Sequence, residues 1–148
     1  MTGSSSVLPD ANFWLALFLD RHRAHPVARA WLHQQSETVL VFCRVTQMAF
    51  LRHLTTKAIM GPNVLSQAKA WSQYETLLAR DEVTFLGEPQ GLEIRWRDYT
   101  QSKQSGHKLW TDAYLAAFAM AHGLPMLTFD QGFTRFTGVE QQILQMES

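Results

Sequence analysis

The chain has 148 residues, 46% hydrophobic and 18% charged, with 13 Lys plus Arg against 13 Asp plus Glu and a formal net charge of zero. That length buries a core without disulfides or a structural metal, and the composition excludes a disordered tail and a coiled coil. Balanced charge excludes a uniformly basic nucleic-acid coat, though not an enzyme that gathers acids around a cation, and the single cysteine, Cys43, excludes a disulfide framework or a Cys-rich zinc site.

Residues 1–6 are small and polar and read as a disordered lead-in, with 7–148 forming one domain. MTGSSSVLPD has no basic n-region, and no apolar run is long enough to span a membrane, so a cytoplasmic protein is expected. Val7 to Pro9 reads as a strand ending at Asp10, and Asn12 opens a helix through Phe13, Trp14, Leu17 and Phe18. His25 and Pro26 start a second helix, because proline is tolerated in the first turn. Val39 to Cys43 is an unbroken apolar run suited to a buried parallel strand. Helical spacing resumes from Thr46, a plausible cap, through Met48, Leu51 and Leu54. Gly61 and Pro62 mark a loop, and 64–80 reads as a longer helix with Ala68, Trp71, Tyr74 and Leu78 inward. A strand at 83–86, a helix opened by Glu88 and Pro89, and a polar loop at 101–106 follow.

From 109 to 133 the chain reads LWTDAYLAAFAMAHGLPMLTFDQGF. Thr111 and Asp112 precede a helix that Gly123 ends and Pro125 keeps from resuming. Leu124 to Phe129 is a short buried strand, stopped by Asp130, Gln131 and Gly132. Ile143 and Leu144 suggest a last strand. Short apolar runs alternating with helices give an α/β fold of three α/β/α layers around a mostly parallel sheet. In such a fold, strand C-termini and the helix N-termini that follow them share one edge, where open sheets place ligands.

That topology puts Asp10, Asp112 and Asp130 on one edge, with Asp10 and Asp130 about 5 Å apart if their strands are neighbours. Crowded carboxylates raise one another's pKa unless a cation offsets the charge, and Mg²⁺ or Mn²⁺ suits an all-oxygen site that activates water against a phosphodiester. Each aspartate beside a helix start also reads as a cap, and spacing leaves both roles open.

VLPDANFWLALF, CRVTQMAFLRHL, TDAYLAAFA and MLTFDQGF resemble the successive motifs of the PIN domain, particularly of VapC-type toxins from bacterial toxin and antitoxin pairs. The resemblance implies an endoribonuclease in which Asp10, Asp112 and Asp130 bind Mg²⁺ or Mn²⁺ and Asn12 supports Asp10. It also implies an RNA substrate, a homodimer and a protein antitoxin covering the groove. Gln47 stands where the family usually has a glutamate, and Gly132 where many relatives carry a further acid. The resemblance gives Gln47 the place of a catalytic acid, with its amide expected to hold a metal-bound water.

Arg44, Arg52 and Lys108 are candidate phosphate contacts near Gln47 and Asp112, against a default of solvated charge. Arg44 is the strongest, since it leaves a strand on the active edge. His107 lies near the same place, and Trp110 is the tryptophan to watch because it adjoins Asp112. Two other readings remain. A degenerate PIN module would bind RNA or protein without catalysis, and an aspartate-nucleophile phosphatase would use Asp10, though it expects an acid where Asn12 stands.

Overall fold

A computed structural model describes residues 5–103 and 105–145. Its strands are β1 (Ser5–Pro9), β2 (Thr38–Phe42), β3 (Val83–Phe85), β4 (Met126–Thr128) and β5 (Gln141–Ile143). Its helices are α1 (Ala11–Phe18), α2 (His25–His33), α3 (Arg44–Leu54), α4 (Lys57–Met60), α5 (Gln67–Leu78), α6 (Leu92–Tyr99) and α7 (His107–His122). The strands form one sheet in the order β3-β2-β1-β4-β5, and every neighbouring pair is parallel.

Alternation along the strands divides the core into two layers. Val7, Leu40, Phe42 and Leu127 face α1, α2, α3 and α5, where Trp14 stacks on Phe42 with centroids 3.8 Å apart. Leu8, Val41 and Met126 face the other way, onto the alanine-rich side of α7. Both faces of β2 are covered, which is why its sequence is continuously apolar instead of alternating.

Several boundaries differ from expectation. Of the lead-in expected over 1–6, residues 1–4 lie outside the described residues, whereas Ser5 and Ser6 begin β1, in register with Thr38 and Val39. Thr46 is not the first cap of α3. Cys43 takes that place, and the Thr46 hydroxyl accepts from the Cys43 amide at 3.0 Å. The helix expected over 64–80 starts at Gln67, because the Ser66 hydroxyl caps it by accepting from the Lys69 amide. Its inner face is also rotated: Ala70 and Tyr74 are buried, while Ala68 is exposed and Trp71 is about half exposed. Tyr74 sets that rotation by packing edge-on against Phe42, 5.0 Å between centroids.

The start of α7 moves most. It begins at His107, one turn before Thr111, so Asp112 occupies the second turn, not the first. Contact with α6 holds the added turn, since the Trp96 indole N–H donates to the Trp110 carbonyl at 2.9 Å. The far end agrees with expectation: Gly123 caps it in the left-handed region (φ 67°), and its amide donates to the Met120 carbonyl.

Candidate active site

Asp10 follows β1 and caps α1. Its Oδ1 accepts from the Phe13 amide at 2.9 Å, and its Oδ2 accepts from the Thr128 hydroxyl at 2.5 Å. The cap reading is therefore correct, and it leaves the carboxyl almost fully buried. Burial pushes its pKa up to about 6 despite those two hydrogen bonds, and the charges of Asp130 and Asp112 push in the same direction. Two pKa units correspond to about 3 kcal/mol against the ionised form, most of it the cost of burying the charge.

Asp130 lies one strand away. Direct pairing of β1 with β4, Leu8 opposite Met126 and Pro9 opposite Leu127, provides the adjacency that the sequence reading required. Asp130 caps a 3-10 turn over Gln131–Arg135, its Oδ1 accepting from the Gly132 amide at 2.8 Å. The hydroxyl of fully buried Thr128 accepts from the Asp130 amide at 2.9 Å while donating to Asp10. One side chain thus fixes the carboxyl of Asp10 and the main chain of Asp130. Thr128 escaped the sequence reading, although a hydroxyl two residues before Asp130 in a strand shares its side of the sheet.

Asp112 reaches this edge from α7. Burial raises its pKa, opposed by Lys108 one turn earlier and by Arg135. Arg135 donates from Nη2 to Asp112 Oδ2 at 3.4 Å, a long contact for a half-exposed guanidinium. Arg135 also escaped the sequence reading, and its only signal was a cation just past the acidic turn.

Gln47 follows β2, the strand on the other side of β1, and is buried at the fourth position of α3. Its Oε1 accepts from Arg44 Nη1 at 2.5 Å, and it neighbours the Tyr74 hydroxyl. The Asp10 hydrogen bonds go to Phe13 and Thr128 instead of Gln47. Arg44 is exposed, its guanidinium carbon 4.8 Å from the Phe85 ring centroid. Asn12 is solvent-facing in the first turn of α1. Arg52 lies in the last turn of α3, five residues and about 7.5 Å along the axis from Gln47. His107 and Lys108 line a cleft of about 600 Å³ that also includes Arg135.

A family model described as the PIN domain matches residues 7–139, nearly the whole chain. The chain belongs to the PIN-domain family. Ribonuclease VapC41 of Mycobacterium tuberculosis is 40% identical over 143 residues, covering 93% of this chain and 98% of that one. Among solved structures, VapC20 of M. tuberculosis, described as a Sarcin-Ricin loop cleaving toxin, aligns with TM-score 0.63 at 16% identity, over 90% of this chain and 98% of that one. A toxin-antitoxin complex from Klebsiella pneumoniae aligns with TM-score 0.53 at 21% identity, over 90% and 94% of the two chains.

The carboxylates that Asp10, Asp112 and Asp130 bring to this edge of the PIN domain are oxygen donors that repel one another, which fits a hard divalent cation. Among the described residues no three Asp, Glu, His or Cys side chains are already gathered as a metal cage. Each carboxylate has another partner: Phe13 and Thr128 for Asp10, Gly132 for Asp130, Arg135 for Asp112. The backbone and Thr128 bonds leave lone pairs free, since a carboxylate accepts about four hydrogen bonds. The Arg135 contact is weak enough to yield to a divalent ion.

Proposed function

We propose that this PIN domain is a Mg²⁺- or Mn²⁺-dependent endoribonuclease acting as the toxin of a toxin-antitoxin pair. The observation that carries the reading is the buried Asp10 carboxyl, held at the sheet edge by Thr128 and sharing that edge with Asp112 and Asp130. The 40% identity to a protein named as a ribonuclease supports the activity. Asp10, Asp112 and Asp130 would hold the cation. Once bound, it would supply an electrophile for the phosphoryl oxygen and lower the pKa of the attacking water.

The chain's own residues do the positioning. Thr128 ties the Asp10 carboxylate to the backbone of Asp130, so less reorganisation is needed when substrate arrives. Gln47 turns Arg44 along the same edge, where the guanidinium can take a backbone phosphate. Lys108 and Arg135 flank Asp112 and offer further phosphate contacts. Asn12 serves from the first turn of α1 as a polar contact beside Asp10, and Arg52 contributes only to an RNA long enough to reach down α3. An antitoxin partner and a homodimer complete the proposal, and the exposed apolar side chains of Met48, Trp71 and Ile94 give protein partners something to cover.

Cleavage of RNA by the purified protein with Mg²⁺ or Mn²⁺, lost in Asp10→Asn, tests the activity. Asparagine is as good a cap as aspartate, so that variant keeps its fold. The neutral Gln47 and the Arg135 contact favour one second reading, a module that binds RNA or protein without catalysis. Calorimetry separates the two, because no heat of binding at millimolar Mn²⁺ would favour the non-catalytic module.

A further inference from the structure

Trp110 is 60% exposed on α7, an unusual position for the largest apolar side chain unless something covers it. Its position is nonetheless braced. Trp96 meets it edge-on, with ring centroids 6.4 Å apart at 77°, and donates its indole N–H to the Trp110 carbonyl. Trp96 in turn stands perpendicular to Tyr114 at 5.7 Å, and the Tyr114 hydroxyl donates to Glu88 Oε1 at 2.8 Å. These residues, with Arg44 and Phe85, line an open cleft of about 660 Å³.

The cleft lies at the carboxyl edge of the sheet, the edge that carries the acids. Phe85 ends β3, Arg44 begins the helix after β2 and Asp10 follows β1, so the three lie in strand order along it. Two strand spacings separate β3 from β1, roughly 10 Å. Arg44 stands between, touching Gln47 on one side and Phe85 on the other. A cation between an acidic site and a cleft with an exposed indole matches a polymer that alternates phosphates with flat aromatic rings. A protein surface would not call for that alternation. At about 3.4 Å per stacked nucleotide, the span from Phe85, in the wall of the cleft that also holds Trp110, to Asp10 corresponds to about three nucleotides.

We propose that Trp110, braced by Trp96, stacks a nucleobase of single-stranded RNA within about three nucleotides of the scissile phosphate, while Arg44 takes an intervening phosphate. A base kept in a duplex has both faces covered, so the platform selects unpaired segments. The inference rests on reading the three aspartates as the cleaving centre, and its test separates binding from cleavage.

The measurement is fluorescence anisotropy with a labelled single-stranded 12-nucleotide RNA of mixed sequence, using the Asp10→Asn protein so that nothing is cut. Adding Trp110→Ala is expected to weaken binding roughly 5- to 100-fold, and Trp110→Phe to restore most of it. The slope of log affinity against log salt should be unchanged by Trp110→Ala and shallower by about 0.7 in Arg44→Ala. Equal affinity with and without the indole would overturn the proposal, as would failure of the RNA to bind at low salt. A change in sedimentation mass with RNA affinity unchanged would also overturn it, making Trp110 a contact for protein. If wild type binds with the expected pattern yet cleaves no RNA with either metal, the nuclease reading fails and the platform stands.

Discussion

The Asp10 carboxyl is buried, which pushes its pKa up to about 6, whereas an unfolded chain holds it near the ordinary 3.8. The folded state therefore binds that proton more tightly between about pH 4 and 6. In metal-free protein the contribution to stability is complete below about pH 4 and is lost as pH rises to about 6, roughly 3 kcal/mol in all. Urea melts across that window should show the decline in wild type and its absence in Asp10→Asn, which should be the more stable protein at pH 7. Equal slopes would mean that Asp10 is not buried as described. Thr128→Val should cost about 1 to 3 kcal/mol, because it leaves buried polar groups unpaired. It also removes a hydrogen bond that favours ionised Asp10, so carboxyl-carbon NMR should find Asp10 titrating higher than in wild type.

At the scale of the element, α7 connects the site to the core. Its alanine-rich side packs on Leu8 and Val41, while Asp112, Trp110 and Tyr114 lie on its amino-terminal half. Gly123 at the opposite end is left-handed with open space around it, so Gly123→Ala acts through backbone strain alone. The expected cost is about 1 kcal/mol in denaturant melts, with RNA cleavage per folded molecule unchanged. Lost cleavage would show that the end of α7 is coupled to the site. The chemistry of Gly123 and Pro125 was legible because it is local. The start of α7 was not, because Gly106 offers no side-chain cap and contact with Trp96 stabilises the added turn. The face of α5 is not legible for a similar reason: periodicity alone does not distinguish Trp71 from Tyr74, and packing against Phe42 does.

For the whole molecule, the proposed cation would be linked to folding, since a ligand that binds only the folded chain stabilises it. At a free Mn²⁺ concentration 100 times its Kd the gain is about 2.7 kcal/mol, which for a chain of this size raises Tm by roughly 5 to 10 °C. Thermal melts should show that rise in wild type and not in Asp10→Asn. Gln47→Glu should restore a negative charge beside β1 and bind Mn²⁺ more tightly than wild type. Unchanged affinity would place Gln47 outside the cation's surroundings, in a purely positioning role toward Arg44.

The sequence by itself determined the alternation of strands and helices, the edge on which the aspartates fall, and their types. These follow from residue patterning and from the chain order of parallel α/β units, which are local or topological facts. The tertiary structure decided that β1 lies between β2 and β4, which makes Asp10 and Asp130 neighbours and sets Gln47 on the other side of β1. It also decided that Thr128 bridges two acids, that Arg135 meets Asp112, and that Trp110 stays exposed. Those contacts join residues as much as 118 positions apart. Which distant partner a side chain meets depends on how the layers pack, and the spacing of residues along the chain does not carry that information.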